Sequence, residues 1–114
     1  MLATTTKVDH TIYLHLNKEV DTPDKLKANE TVQFSSKDGE IKIDFPADWP
    51  FDGKPHDIYG SNIDQKTGCY TSEILTLNQG DKVTKSKFNC HIKPPDSPVF
   101  SKLEYGGEIQ PRGK

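Results

Sequence analysis

Residues 31–45, TVQFSSKDGEIKIDF, constrain the fold more than any other stretch of the chain. On both sides of Asp38-Gly39, apolar and polar residues alternate, which is the period of a β-strand with one buried face. Asp-Gly is a preferred two-residue loop of a type I′ turn, in which both loop residues have positive φ. The stretch therefore predicts an antiparallel hairpin in which Lys37 faces Glu40. Its buried face would carry Val32, Phe34, Ile41, Ile43 and Phe45.

The same alternation recurs in residues 10–16 and in residues 83–93. The core residues that it predicts there are Ile12, Leu14, Leu16, Phe88, Cys90 and Ile92. Residues 68–77 also have strand character, and residues 78–81 predict a turn. Prolines at positions 94, 95 and 98 end the late strand, because proline cannot donate to a sheet ladder. Residues 99–109 predict an edge strand.

These patterns predict an all-β fold, a mostly antiparallel β-sandwich of about seven or eight strands. At 114 residues the chain has the usual size of one domain, so we expect residues 1–114 to form a single domain. Its ends, residues 1–8 and 106–114, are expected to be partly mobile.

Composition and charge exclude several classes of function. Basic and acidic residues number 15 and 17 and are interspersed, so the formal charge is -2 and no basic stripe predicts nucleic-acid binding. No apolar run approaches the roughly 20 residues of a membrane helix, and no signal peptide is visible in the chain. We therefore expect a soluble protein without membrane insertion, in a compartment that the sequence leaves open.

The segment after residue 45 is rich in prolines, aromatic residues and charge. Three prolines and Gly53 exclude regular structure over residues 46–55, yet Trp49 and Phe51 need burial. We interpret this segment as a packed irregular crossing. Loops on a rigid scaffold are the usual site of recognition, so we expect residues 49–60 to contact a protein or a small ligand that the sequence does not name, with a homo-oligomer as an open alternative. The predicted binding residues are Trp49, Phe51, His56 and Tyr59.

Two cysteines, Cys69 and Cys90, leave two states open. A disulfide between them would close a loop of about 20 residues and stabilise the fold by roughly 3 kcal/mol in the chain-entropy model. Without any sign of secretion, two buried reduced thiols are the favoured interpretation, because reduced cysteine packs as a small hydrophobe.

Motifs of catalysis do not occur in the sequence. The serines lie in no nucleophile-elbow context, and no HExxH or phosphate-binding pattern is found. Two of the carboxylates at positions 44, 48, 52, 57 and 64 could act as an acid/base pair, but solvated loop carboxylates are the favoured interpretation. We expect no enzymatic activity and no cofactor. Tyr13, Tyr59 and Tyr105 could form a carbohydrate platform, although ordinary packing is commoner for dispersed tyrosines.

Two segments of the chain form a recognisable combination. Residues 24–51 combine a polar lead-in, a strand, a Lys-Asp-Gly turn, an Ile-Lys-Ile strand and a Pro-Phe segment, and residues 86–92 read SKFNCHI. Together these segments resemble a cupredoxin-like domain. The resemblance implies a Greek-key sandwich of two sheets whose penultimate strand carries a cysteine, a copper ligand in the copper-binding members. An immunoglobulin-like sandwich is the alternative that the same pattern allows.

The copper ligand set is incomplete in this chain. A blue-copper site needs a cysteine thiolate, two imidazoles and usually a weak axial methionine. No histidine follows His91, the sole methionine is Met1, and His91 projects from the opposite strand face to Cys90. We therefore expect no metal site, and a non-enzymatic binding or interaction module without blue copper. Copper binding or electron transfer through Cys90 and His56 is the alternative function, and carbohydrate binding is a further one.

Overall fold

The computed structural model describes residues 8–16, 20, 26–27, 29–46, 49–77, 86–102, 107–109 and 111–112. Every regular element of these residues is a β-strand, and none of them lies in a helix long and apolar enough to cross a membrane. In chain order the strands are β1 (His10–Tyr13), β2 (Leu26–Lys27), β3 (Thr31–Ser36), β4 (Glu40–Asp44), β5 (Ile58–Gly60), β6 (Asn62–Asp64), β7 (Cys69–Thr71), β8 (Leu75–Thr76), β9 (Ser86–Lys93), β10 (Ser101–Lys102), β11 (Gly107–Ile109) and β12 (Pro111–Arg112).

Most of these strands form two sheets. The first has the order β1-β3-β7-β6, with β8 also paired to β3, and the second has the order β10-β9-β4-β5, with β11 also paired to β9. The short strands β2 and β12 pair with each other. Among the described strands, pairing is antiparallel except between β1 and β3 and between β12 and β2. The prediction of an all-β sandwich of mostly antiparallel strands is confirmed.

The core lies between the two sheets and follows from strand alternation. In β9 every second side chain is buried, and the side chains between them are partly or fully exposed. Phe88 of this strand meets Phe34 of the first sheet edge to face, with ring centroids 5.5 Å apart. This contact joins the inner faces of the two sheets.

The predicted core residues all belong to this core. Leu16 and Phe45 are partly buried and pack against it, and the other predicted positions are buried. Several further buried residues are not among the predicted core positions, namely Leu26, Ile58, Leu75, Leu77 and Ile109.

The hairpin predicted at residues 31–45 is wrong. β3 pairs with β1, β7 and β8 in the first sheet, whereas β4 pairs with β5 and β9 in the second. Residues 37–39 therefore carry the chain from one sheet to the other. Among the described non-glycine residues, positive φ occurs at Asn29 alone. Asp38 therefore lacks the positive φ that a type I′ turn requires. Glu40 lies opposite Lys93 rather than Lys37, with its carboxylate 3.2 Å from the Lys93 ammonium.

Contacts of Asp38 and Gly39 hold this crossing. The Asp38 carboxylate accepts a hydrogen bond from the Leu16 N–H at 2.8 Å, and the Asp38 N–H donates to the Ser36 hydroxyl at 3.1 Å. The Gly39 backbone lies so close to the Lys93 carbonyl that a Cβ would overlap it. Alternation correctly indicates which face of each strand is buried. It does not distinguish a partner strand in the same sheet from one in the opposite sheet, because both arrangements bury the same side chains.

Within the tail, residues 106–114, the described residues 107–109 and 111–112 form strands. β11 pairs antiparallel with β9, and Ile109 is fully buried because it is an apolar residue in contact with the core. Gly107 permits this pairing, since a Cβ there would overlap the ring of Phe88. Residues 111–112 form β12 beside β2.

The predicted edge segment 99–109 contains two of the observed strands. β10 lies at one edge of the second sheet, and β11 also pairs with β9. Residues 1–7 of the predicted mobile start and the turn predicted at 78–81 lie outside the described residues.

Substitution of Gly39 tests the crossing between the sheets. Both Gly39→Ala and Gly39→Asn are expected to lower the free energy of unfolding by about 1–3 kcal/mol, because any Cβ overlaps the Lys93 carbonyl and the backbone must shift. Urea denaturation followed by circular dichroism measures the change. In a type I′ hairpin, asparagine would be tolerated because it readily adopts positive φ. A Gly39→Asn variant as stable as the wild type would therefore contradict the crossing.

Candidate functional site

A groove of about 290 Å³ opens where β4 ends. Between β4 and β5 the chain is irregular, because prolines at positions 46, 50 and 55 cannot donate to a sheet ladder. The described residues of this connection make one isolated bridge, from Phe51 to Leu77. The predicted irregular crossing over residues 46–55 is confirmed for the part that the structure describes. The groove is lined by Asp44, Phe45, Pro46, Trp49, Pro55, His56 and Asp57.

Aromatic rings connect the groove to the core. The ring centroid of Trp49 lies 5.7 Å from that of Phe45 and 5.3 Å from that of Phe51, and both pairs are close to perpendicular. Phe45 in turn lies 5.3 Å from Phe88 of β9. Perpendicular ring contacts are worth about 0.5–1.5 kcal/mol beyond the area that they bury. The position of the Trp49 wall is therefore set by the core of the sandwich.

The four predicted binding residues do not form one cluster. Trp49 and His56 both line the groove, with ring centroids 4.9 Å apart. Phe51 is 1% exposed and packs in the core, which corrects the prediction that it contacts a partner. Tyr59 is 50% exposed, but it projects from β5 beside Lys42 and does not line the groove.

The tyrosines considered for a carbohydrate platform are also separated. Tyr13 lies on β1 of the first sheet and Tyr59 lies on β5 of the second. Tyr105 lies outside the described residues. The Tyr59 ring instead packs beside Phe100, with centroids 6.4 Å apart.

His56 is held between two hydrogen-bond acceptors. Its Nδ1 lies 2.8 Å from the Lys54 carbonyl oxygen, and its Nε2 lies 3.0 Å from a Glu73 carboxylate oxygen. Both hydrogen bonds form together only when both ring nitrogens carry a proton. The Lys54 carbonyl, followed by the Glu73 carboxylate, raises the pKa of His56 above its ordinary value. The groove wall therefore contains an imidazole whose protonated form is favoured by its surroundings.

Asp44 lines the same groove, and both of its carboxylate oxygens are engaged. Oδ1 accepts from His91 Nε2 at 3.0 Å, and Oδ2 accepts from Asn89 Nδ2 at 3.0 Å. Burial opposes ionisation of Asp44, but the hydrogen bonds from Asn89 and His91 outweigh it and lower the pKa of the carboxyl group. Asp57, also in the lining, has a carboxylate oxygen 3.9 Å from the Lys42 ammonium.

Sequence reasoning did not identify Asp44, Asp57 or Glu73 as parts of one site. It treated the two aspartates as scattered loop carboxylates, and it assigned no role to Glu73. The contacts of Asp44 follow from the register between β4 and β9, which places Asp44 opposite Asn89 and Lys42 opposite His91. That register depends on which strands are neighbours, which alternation alone does not specify.

Both cysteines are reduced and buried. Cys90 faces the core from β9, where burial, assisted by the negative charge of Asp44, raises the pKa of its thiol to about 12. His91 projects to the other face, as alternation predicted. There it bonds to Asp44. In the part of the chain that the structure describes, no three His, Cys, Asp or Glu side chains are placed to share a metal ion.

Thiol titration tests the state of the cysteines. We expect native protein to react slowly with a disulfide reagent at neutral pH, because both thiols are buried and that of Cys90 is held protonated. In guanidinium chloride both Cys69 and Cys90 should react, and a Cys69→Ser variant, the control, should lose half of that signal. Denatured wild-type protein without reactive thiols would show instead that the two cysteines are bonded.

Comparisons of this chain with family models, with curated proteins and with solved structures found no match. The cupredoxin-like resemblance and its Greek-key connectivity therefore stay predictions, while the two-sheet architecture is shown by the strand pairing. Conclusions about function rest on the groove and on the residues that line it.

Proposed function

We propose that the chain is a non-enzymatic binding module whose contact surface is the groove at the end of β4. The observation that supports this most directly is the groove itself, which has a volume of about 290 Å³ and is walled by Trp49 and His56. Ligand pockets commonly have volumes of about 300–1,000 Å³, so this one suits a small ligand or one side chain of a partner protein.

The chemistry of the lining supports binding. Phe45, Trp49 and two prolines supply apolar surface, while His56 and Asp57 expose polar groups beside it. Binding sites typically combine apolar walls with a few polar groups that orient the ligand. Because Trp49 packs on Phe45 and Phe51, its wall is formed before a ligand arrives, which lowers the entropic cost of binding.

The state of Asp44 supports binding rather than acid–base catalysis. A general acid that works near neutral pH usually has a raised pKa. The pKa of Asp44 is lowered, and its two oxygens already accept hydrogen bonds from His91 and Asn89. This carboxylate therefore holds the groove wall in place.

The architecture supports the finer assignment to cupredoxin-like sandwiches without blue copper. The chain has two packed sheets and a late strand, β9, whose cysteine faces the core. The alternative copper function would need Cys90 as a thiolate and a vacant nitrogen on His56. Burial favours the protonated thiol of Cys90. Both ring nitrogens of His56 are already hydrogen-bonded, to the Lys54 carbonyl and to the Glu73 carboxylate. The carbohydrate alternative is weakened by the separation of Tyr13 and Tyr59 on different sheets.

A capture experiment tests the groove. Wild-type chain and a His56→Ala/Asp57→Lys variant are immobilised and incubated with cell extract, and bound partners are identified by mass spectrometry. We expect a partner of the wild type to bind the variant at least about tenfold more weakly, because two groups that line the groove are replaced. This corresponds to a loss of about 1.4 kcal/mol of binding free energy. Both positions are exposed, so the fold should persist.

A matched control distinguishes the groove from general charge effects. Asp96→Lys changes one exposed residue that does not line the groove and raises the formal charge by two, as Asp57→Lys does, so this variant should bind as the wild type does. A partner that the groove variant retains in full would contradict the proposal.

Addition of Cu(II) tests the alternative copper function. We expect purified protein to remain colourless, because no three His, Cys, Asp or Glu side chains among the described residues are placed to share a metal ion. Absorbance and electron paramagnetic resonance spectra measure the outcome. An intense visible band from thiolate to copper that disappears in Cys90→Ser would favour the copper function, and its loss in His56→Ala would identify the imidazole ligand.

A further inference from the structure

Parts of both sheets meet at the imidazole of His56. His56 and Lys54 belong to the connection that leads into β5 of the second sheet. Glu73 belongs to the connection between β7 and β8 of the first sheet. The His56–Glu73 contact, at 3.0 Å, therefore links the two sheets at the groove. The Trp49 ring also packs beside the His56 ring, with centroids 4.9 Å apart.

This arrangement is complete in only one protonation state of His56. The Lys54 carbonyl and the ionised Glu73 carboxylate are both acceptors, so each requires an N–H from the ring. A neutral imidazole has one N–H. Loss of a proton therefore removes either the hydrogen bond within the loop or the one to the first sheet.

We propose that His56 is a proton-dependent latch on the groove. When doubly protonated, His56 is tied both to the Lys54 carbonyl and to Glu73, which fixes its side of the groove. When it loses one proton, one of the two ties is released and the His56 side of the groove loosens, while Trp49 stays packed on Phe45 and Phe51. The consequence for ligand binding rests on the proposed function of the groove, but the latch itself is a property of the unliganded chain.

The groups around His56 set the pH at which the switch occurs. The hydrogen bond to the Lys54 carbonyl is the largest single cause that raises the pKa of His56, the hydrogen bond and charge of Glu73 and the charge of Asp57 raise it further, and partial burial opposes them. Lys42 lies 3.9 Å from Asp57, so part of that negative charge is already compensated. Asp44 lines the groove as well, with its oxygens bound to neighbouring side chains. The latch is closed while both ring nitrogens of His56 carry a proton, so it opens as the pH rises through the pKa of His56, which its surroundings raise above the ordinary value.

Trp49 provides a direct readout of the protonation state of His56, on which the latch depends. It is the sole tryptophan of the chain, and its ring centroid lies 4.9 Å from that of His56. A protonated imidazole quenches neighbouring indole fluorescence more strongly than a neutral one. We expect Trp49 emission to increase as the pH is raised from about 5 to about 9, with a midpoint above the ordinary histidine value of about 6.5.

Three variants assign this transition. His56→Gln should abolish it, and Glu73→Gln should move its midpoint to lower pH because one favourable charge is lost. His10→Gln is the control, since its ring bonds Glu30 at 3.0 Å and does not line the groove, and its transition should match the wild type. Amide hydrogen exchange of the loop around His56 should become faster above the midpoint in the wild type.

Two results would overturn the latch. One is emission that does not change with pH in the wild type, and the other is a midpoint that Glu73→Gln leaves in place. Neither measurement uses a ligand, so its failure is distinct from failure of the capture experiment, which would refute the binding function and leave the latch intact.

Discussion

The edge-to-face contact between Phe34 and Phe88 joins the two sheets, and the groove depends on it. Each ring belongs to a strand with several partners in its own sheet, since β3 pairs with β1, β7 and β8, and β9 pairs with β4, β10 and β11. Phe45 packs on Phe88, and Trp49 packs on Phe45. A continuous series of rings thus runs from the centre of the core to the groove wall. The wall is irregular in backbone conformation, yet its position is determined by sheet packing.

Much of the core could be predicted from the sequence, because burial on one face of a strand leaves a period of two. That pattern identified the inward residues of β3, β4 and β9 correctly. It could not identify which strands are neighbours. The connection at Asp38 shows why, since its conformation depends on a hydrogen bond from Leu16 and on the carbonyl of Lys93, which lie elsewhere in the sequence. Local turn chemistry favoured a hairpin, and these tertiary contacts outweigh it.

The candidate site was predicted in part, for a related reason. Composition indicated the loop between β4 and β5, and Trp49 and His56 do line the groove. Composition does not show which aromatic residue of a loop faces inward, and Phe51 does so through its bridge to Leu77. The groups that define the electrostatics of the site, Glu73 and the partners of Asp44, come from other strands and connections. Only the three-dimensional arrangement places them beside the loop.

The burial of Ile109 has a consequence for the order in which the protein can fold. β9 lies between β4, from the first half of the sequence, and β10, and it also pairs with β11. A chain emerging from the ribosome therefore cannot complete this core until residues 107–109 have left the exit tunnel. Until then Phe88 lacks the strand that packs on its ring at Gly107. Closure must follow synthesis of residue 109, and contacts between such distant segments form slowly, so the nascent chain passes through an interval in which its apolar strands are open to chaperones.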